Sequence, residues 1–395
     1  MAVIIPFWLC VGLLLYAYIG YPLVLFVFAS AAQMLKDIRY IIKRGERRAN
    51  PDAPDWPAVS MIIPAYNEAD VIREKLENCL ALDYPHDKLE IIVASDGSSD
   101  GTASIVREYA GRGIILIDYK ERSGKASVLN RTVARAAHDI LIMSDANTMY
   151  EPRSIRHLVR HFTDSRVGAV IGEMILESLS DEHKGEVHYW RYEVVLKFME
   201  NKLGAILGAN GGLYAMRREL YEPMPETTMH NDDFVIPLRI KQKGYRQVYS
   251  PEARATEATA RNVTLEAVRK MRIAAGNFQS IQVLWRLLNP LRGWIAFTFW
   301  SHKILRWLAP FFMIGAFAFN ALLLGEGRLY QVLFALQAAF YGSAAVGALT
   351  TKFPRIRKLC AVQYYFTAMN VAMLRGFVKF VSRSQKATWT KIERK

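Results

Sequence analysis

Four short runs of apolar, largely β-branched residues constrain this chain more than any other feature: Val59 to Ala65, Leu89 to Ser95, Ile114 to Tyr119 and Ile140 to Ser144. Each is nearly unbroken in apolarity, the pattern of a strand buried on both faces rather than one with a wet side. Between them Ile72, Leu76, Cys79 and Leu80 keep helical spacing, as do Val128, Val133 and Ala136 to Ala137. The order is therefore βαβαβαβ, and the expected fold class is α/β with a doubly wound, mostly parallel sheet. Asn50 to Pro57 carries prolines at 51, 54 and 57, cannot continue a helix, and reads as the linker into this unit.

The two ends have another character. Mean hydropathy of +0.06 averages a mixed middle, about residues 50 to 290, with strongly apolar termini. Ala2 to Ala29 is long enough to cross a bilayer; it lacks the basic start and small-residue cleavage site of a signal peptide and reads as a membrane helix. Lys36, Arg39, Lys43, Arg44, Arg47 and Arg48 follow it, so the positive-inside tendency places the next domain in the cytoplasm. About Leu265 to Leu288, Arg269, Lys270, Arg272 and Arg286 interleave with Met271, Ile273, Phe278, Ile281, Leu284 and Trp285, which suits a helix lying at the membrane surface. Two further spans are expected at about Ile304 to Leu324 and Tyr330 to Leu349. A third segment, Leu359 to Val381, contains Gln363, Asn370, Arg375 and Lys379 and reads as an interfacial or re-entrant helix, with a full crossing as the alternative. The expected organisation is an N-terminal membrane helix over 1–34, a basic linker over 35–57, the α/β domain over 58–263, the interface helix over 264–290, a C-terminal membrane region over 291–381 and a basic cytoplasmic tail over 382–395.

The net charge of +14 raises nucleic acid as a partner, but the surplus clusters beside the apolar segments, with Lys352, Arg355, Arg357, Lys358, Arg383, Lys386, Lys391, Arg394 and Lys395 repeating the pattern. No aromatic-basic binding module accompanies it, so no nucleic-acid partner is expected. Three cysteines, Cys10, Cys79 and Cys360, form neither a disulfide framework nor a zinc spacing. His157 and His161 stand four apart on a helix flanked by arginines, with no third ligand at matching spacing; a solvated helix face accounts for them.

Open α/β sheets bind ligands beyond the carboxyl ends of their strands. Here the first strand ends in Pro64-Ala65-Tyr66-Asn67-Glu68, the second in Ser95-Asp96-Gly97-Ser98-Ser99-Asp100-Gly101-Thr102, and the fourth in Ser144-Asp145-Ala146-Asn147. Taken alone, the second is a turn and a helix cap. Asp145 and Asn147, on alternate residues after a buried strand, present two oxygens suited to Mg2+ or Mn2+ bridging a diphosphate. Gly124-Lys125 is not a P-loop, because Tyr119 stands where that motif needs glycine and Ala126 where it needs Ser or Thr.

In combination these strand ends resemble the nucleotide-binding half of the family 2 glycosyltransferases, whose fold is called GT-A. Ser123-Gly124-Lys125-Ala126-Ser127-Val128-Leu129-Asn130 resembles the family's Gly-Lys-x-x-x-Leu-Asn segment, Gly208-Ala209-Asn210-Gly211-Gly212 its acceptor-side loop, and Asn231-Asp232-Asp233 its Thr-Glu-Asp motif. The likeness spans about residues 58 to 276, and its specificity lies in the order of the motifs.

The resemblance implies a membrane-integral, inverting glycosyltransferase acting on a nucleotide sugar, UDP-linked, in bacterial cell-surface polysaccharide synthesis. Pro64, Tyr66, Glu68, Asp96, Lys125 and Asp145 would hold the donor, Asp145 and Asn147 the metal, and Asp233 would be the general base. Gly211, Gly212, Asp232, Arg269 and Arg272 would lie toward acceptor and diphosphate. Two departures stand out: Asn147 replaces the second aspartate of the common Asp-x-Asp, and Arg269-Lys270-Met271-Arg272-Ile273 keeps only the arginine of the processive enzymes' Gln-x-x-Arg-Trp. Processive extension of a glycan and a single addition to a lipid-linked acceptor both remain open. A transporter or nucleotide sensor is the contrasting class, disfavoured by few helices and no repeat.

Overall fold

The computed structural model describes residues 1–43, 55–177, 184–209, 211–226, 231–258, 263–350, 356 and 359–384. Arg44, Arg47, Arg48, linker residues 50–54, Asn210, Lys352, Arg355, Arg357, Lys358 and the basic residues from Lys386 onward lie outside these.

The four apolar runs are the strands β1 (Val59–Ala65), β2 (Leu89–Asp96), β3 (Ile114–Tyr119) and β4 (Ile140–Met143), paired in parallel in the order β3-β2-β1-β4. Crossover helices α3 (Ala69–Leu80), α4 (Thr102–Arg107) and α5 (Lys125–Val133) connect them. Every residue of β1 is buried, as a strand covered on both faces requires. Met61 and Ile63 pack with Ile72, Leu76 and Cys79 on one face, while Ile62 and Ile92 pack with Val128 and Leu129 on the other.

The second half of the sheet is mixed. A short edge strand β5 (Met149–Tyr150) follows β4, then helix α6 (Ser154–Val159), the long strand β6 (Val167–Glu177), helix α7 (Lys184–Lys202), strand β7 (Tyr214–Arg217), helix α8 (Asp232–Gln242) and β8 (Arg246–Ala258). The full order is β3-β2-β1-β4-β7-β6-β8-β5, with β7 antiparallel to both its neighbours and β6 parallel to β8. The fold is a mixed, mostly parallel α/β sheet with apolar helices attached.

Among the described residues three helices are long and apolar enough to cross a membrane: Ile4–Ile42, Trp294–Leu322 and Arg328–Leu349. The first joins α1 (Ile4–Leu15) to α2 (Tyr21–Lys43) through a wide π turn at Tyr16–Gly20. The second follows α9 (Val263–Leu284) and joins α10 (Trp294–Thr298) to α11 (Leu305–Leu322) through another at Phe299–Ile304; the third is α12 (Arg328–Leu349). The second helix thus begins ten residues ahead of the expected Ile304. Its first turns were masked by Ser301-His302-Lys303, whose polarity is answered inside the protein. His302 Nδ1 lies 2.6 Å from Glu200, His302 Nε2 3.0 Å from Glu193, and Arg306 donates to Glu193 at 2.5 Å. Tyr21 donates to Glu200 at 2.7 Å, so α7 is fastened to both the first and the second apolar helix by a buried polar chain.

The last helix, α13 (Ala361–Val381), lies along α9. A Cβ on Gly376 would fall 2.4 Å from Ala274 Cβ and 2.8 Å from Met271 O, so the two backbones approach as closely as glycine permits. α9, expected at the membrane surface, therefore has one flank covered by the same chain. One continuous core runs from the sheet face through Phe234 and Phe278 to Phe299 and Trp307, joining the α/β body to the apolar helices.

Candidate active site

The loops after β1 and β2 are knitted to each other. Asn67 adopts the left-handed region at φ 54°, which lets its N–H reach Ser98 Oγ at 3.1 Å while its side chain accepts from Ser99 N at 2.8 Å. Glu68 N donates to Thr102 Oγ1 at 2.9 Å. Tyr66 carries the Arg122 guanidinium 3.8 Å above its ring, and Pro64, next to last in β1, pairs with Ala94 of β2. Asp96 is fully buried and accepts from Ser123 N at 2.7 Å, Ser123 Oγ at 3.2 Å and Gly124 N at 2.9 Å. Its carboxylate clasps the loop that starts α5, and thereby sets the position of Lys125.

Lys125 is the centre of the cluster. Its Nζ lies 2.7 Å from Asp145 Oδ1 and 2.9 Å from Asp232 Oδ1, joining the end of β4 to the start of α8. Burial opposes the charge on this ammonium, but Asp145 and Asp232 outweigh it and raise its pKa above the ordinary lysine value. Burial also raises Asp232, with Lys125 pulling the other way. Asp233, next in sequence, is pushed up to about 6 by burial and by Asp232, against the Gly211 N–H that donates to Oδ2 at 2.7 Å. Adjacent aspartates with unlike partners, one on an ammonium and one on a backbone amide, divide into an ion-paired carboxylate and a carboxylate poised near neutrality.

Glycine makes this convergence possible. A Cβ on Gly212 would sit 2.1 Å from Asp145 N, so only glycine lets the loop before β7 press against the end of β4. Gly208, at φ +74°, has Phe234 Cα 2.9 Å from where its Cβ would be, which brings the same loop onto the start of α8. Behind it Tyr150 donates to Met143 O at 3.0 Å and Gly212 O at 2.8 Å. The fully buried Lys75 lies 4.4 Å from the Tyr150 ring centre and donates to Thr148 O, supporting the turn that holds Asp145 and Asn147.

The residues suit a divalent ion. Asp145 and Asn147 offer hard oxygen donors on alternate residues, Asp145 remains 29% exposed at the side chain, and the buried Asn147 amide nitrogen has no hydrogen-bond partner. An amide without a fold-imposed partner is available to turn its oxygen toward an ion. Among the described residues no group of three or more His, Cys, Asp or Glu forms a ready-made protein metal site.

Lys125, Asp145, Asp232, Asp233, Gly211 and Gly212 are thus brought together. Tyr66, Glu68 and Asp96 shape the adjoining loops. Arg269 reaches the same neighbourhood by pairing with Glu257, whereas Arg272 sits half-buried three residues on along α9. Asn231, capping α8, donates to Ile273 O at 3.1 Å and Asn277 Oδ1 at 2.8 Å, which ties α9 to the site. Glu257, Lys75 and the Glu193–His302–Glu200 chain escaped the sequence reading. A glutamate at an inward position of a strand was the available signal for Glu257; the lysine and the chain offered none.

A parallel α/β half-sheet with carboxylates gathered at its strand ends, continued by an antiparallel β7 that carries a glycine loop to the same place, is a GT-A glycosyltransferase domain. Residues 60–223 match the family described as Glycosyl transferase family 2. It is 27% identical over 225 residues to the poly-beta-1,6-N-acetyl-D-glucosamine synthase of Staphylococcus aureus (strain MSSA476), covering 55% of this chain and 53% of that protein. It is 28% identical over 245 residues to the Probable glycosyltransferase YdaM of Bacillus subtilis (strain 168), covering 56% of each. The chain thus spans about half the length of these curated relatives. Its fold matches a mannosyltransferase of Pyrobaculum calidifontis, solved with GDP-Man and Mn2+, at TM-score 0.66 and 25% identity, covering 96% of this chain and 100% of that one.

Proposed function

We propose that this protein transfers a sugar from a nucleotide diphosphate, with inversion, onto a hydroxyl of a growing polysaccharide at the cytoplasmic face of a bacterial cell membrane. The observation that carries this reading is the convergence of Asp145, Lys125 and Asp232 within hydrogen-bond distance, with Asp233 beside them on its own amide.

In this reading the loops after β1 and β2, with Pro64, Tyr66, Glu68 and Asp96, shape the nucleotide end of the cleft. Lys125 lends positive charge to the diphosphate. Asp145 and Asn147 would hold Mg2+ or Mn2+, which supplies charge neutralisation for the departing diphosphate when bound. Asp233 accepts the proton of the acceptor hydroxyl as its oxygen attacks the anomeric carbon from the face opposite the diphosphate; one C–O bond forms, one breaks, and the configuration inverts. A pKa near 6 leaves Asp233 ionised at neutral pH yet a stronger base than an ordinary aspartate. Lys36 and Arg39 after the first apolar helix support the cytoplasmic orientation.

The full-length likeness to a mannosyltransferase, apolar helices included, and Ile273 in place of the processive tryptophan favour a second reading: one sugar, from a UDP or GDP donor, added to a lipid-linked acceptor. Purified protein in lipid, incubated with a panel of UDP- and GDP-sugars and scored for nucleotide release and product size, separates the two. Long product supports the first reading and a single addition the second. Release from no donor rejects both.

A further inference from the structure

The buried carboxylate of Glu257 stands at the reaction site without a place in the scheme above. It lies on β8 opposite Leu176 of β6, on the stretch where both strands run past the glycine loop. Its side chain is 4% exposed, and its Oε1 is 3.5 Å from an Nη of Arg269, itself 18% exposed, on α9. Its other oxygen faces the loop: a Cβ built on Gly211 would meet Glu257 Oε2 at 3.5 Å. The N–H of that same glycine is the donor holding Asp233. One residue of backbone therefore holds the base on one side and faces, on the other, an ion pair reaching down from the interface helix.

Burying a carboxylate is costly unless a cation answers it, and Arg269 supplies a cation beside Glu257. The converse matters more for function. An arginine on a surface helix is long and flexible, and without an anchor its guanidinium would extend into solvent. Glu257 draws it inward, to the flank of the Gly211 loop. A guanidinium has five N–H donors in a planar fork, which suits it to pair with a carboxylate and an anion together. The anion available to this site, on the reading above, is the diphosphate of the donor.

We propose that Glu257 is a positioning residue for sugar transfer: its ion pair with Arg269 fixes that guanidinium beside Gly211, where it binds the donor diphosphate. This rests on the nucleotide-sugar reading of the site. The arrangement is particular to this chain, since Arg269 stands where the processive pattern has glutamine.

The test is a charge cycle on full-length protein in lipid, with whichever donor the panel shows to be turned over. Glu257→Gln should raise the donor KM by about ten-fold or more with kcat changed much less, because an interaction made equally in ground and transition states is lost. Arg269→Gln should do the same, and the double variant should be no worse than either single one. The exchange Glu257→Arg with Arg269→Glu restores the ion pair and should recover the thermal midpoint, but it moves the cation to the strand and should leave the donor KM raised. Should Glu257→Gln fail to fold, Glu257→Met with Arg269→Met, which removes both charges together, takes its place with the same expected KM. A donor KM within two-fold of wild type in the folded variants, or its full recovery in the exchange, overturns the proposal and leaves the pair a structural brace. A wild-type protein that turns over no donor defeats the reading of the site instead.

Discussion

Replacing Asp233 by asparagine should slow sugar transfer while stabilising the fold. The amide keeps the shape of the carboxyl, and its oxygen can still accept the Gly211 N–H that lies 2.7 Å from Oδ2. Two quantities then move in opposite directions. Asp233 is raised from 3.8 to about 6 in the folded protein, so the native state holds its proton more tightly than the unfolded chain. Stability therefore falls as pH rises from about 4 to about 6, and above that the full cost of the charge is present, up to about 3 kcal/mol from a shift of two pH units and less with solvent screening. Asparagine never bears the charge. The variant should melt a few degrees higher at pH 7.5, with the gain vanishing at about pH 4. Losing the base should lower kcat/KM by about 10² to 10⁴, equivalent to about 3–5 kcal/mol of transition-state stabilisation. Wild-type kcat/KM should fall below about pH 6 and the residual rate of the variant should not. Nucleotide release and intrinsic-fluorescence melts on the same samples report both quantities. Turnover within three-fold of wild type, or a lower midpoint at pH 7.5, would refute the role assigned to Asp233.

Asn147→Asp adds a charge beside Asp145 and should lower the Mn2+ concentration for half-maximal activity by about ten-fold, read from a metal titration after chelation; an unchanged midpoint would remove Asn147 from the metal's surroundings. Gly212→Ala forces a methyl into a space 2.1 Å from Asp145 N, and should cost more than about 2 kcal/mol and more than a hundred-fold in kcat/KM, checked by melts and turnover. Glu193→Gln leaves Arg306 without its buried carboxylate and should destabilise by about 3–5 kcal/mol in a thermal melt. Because Lys303, His302 and Arg306 overcome the burial of Glu193 and hold it well below 4.5, wild-type stability should be full above that pH and decline on acidification, a limb the variant should lack.

The parallel half of the sheet was legible from residue pattern because its cause is local: a strand covered on both faces must be largely apolar, as the fully buried β1 and β4 are. Asp145 and Asp233 were legible because motif order places them at chain positions a sheet of this kind brings to one edge. The antiparallel β7 was not, since four residues following a glycine loop carry no periodicity to read. The start of the second apolar helix was misplaced by ten residues because Ser301, His302 and Lys303 look like an aqueous boundary until Glu193 and Glu200, a hundred residues away, are seen to answer them. By itself the sequence determined which segments are strands, which are long apolar helices and which carboxylates end up at strand ends, for these follow from spacing along the chain. Only the tertiary structure decided what each carboxylate meets: an ammonium for Asp145 and Asp232, an amide for Asp233, backbone donors for Asp96 and a guanidinium for Glu257. Charge and burial act through space, and partners distant in the chain set them.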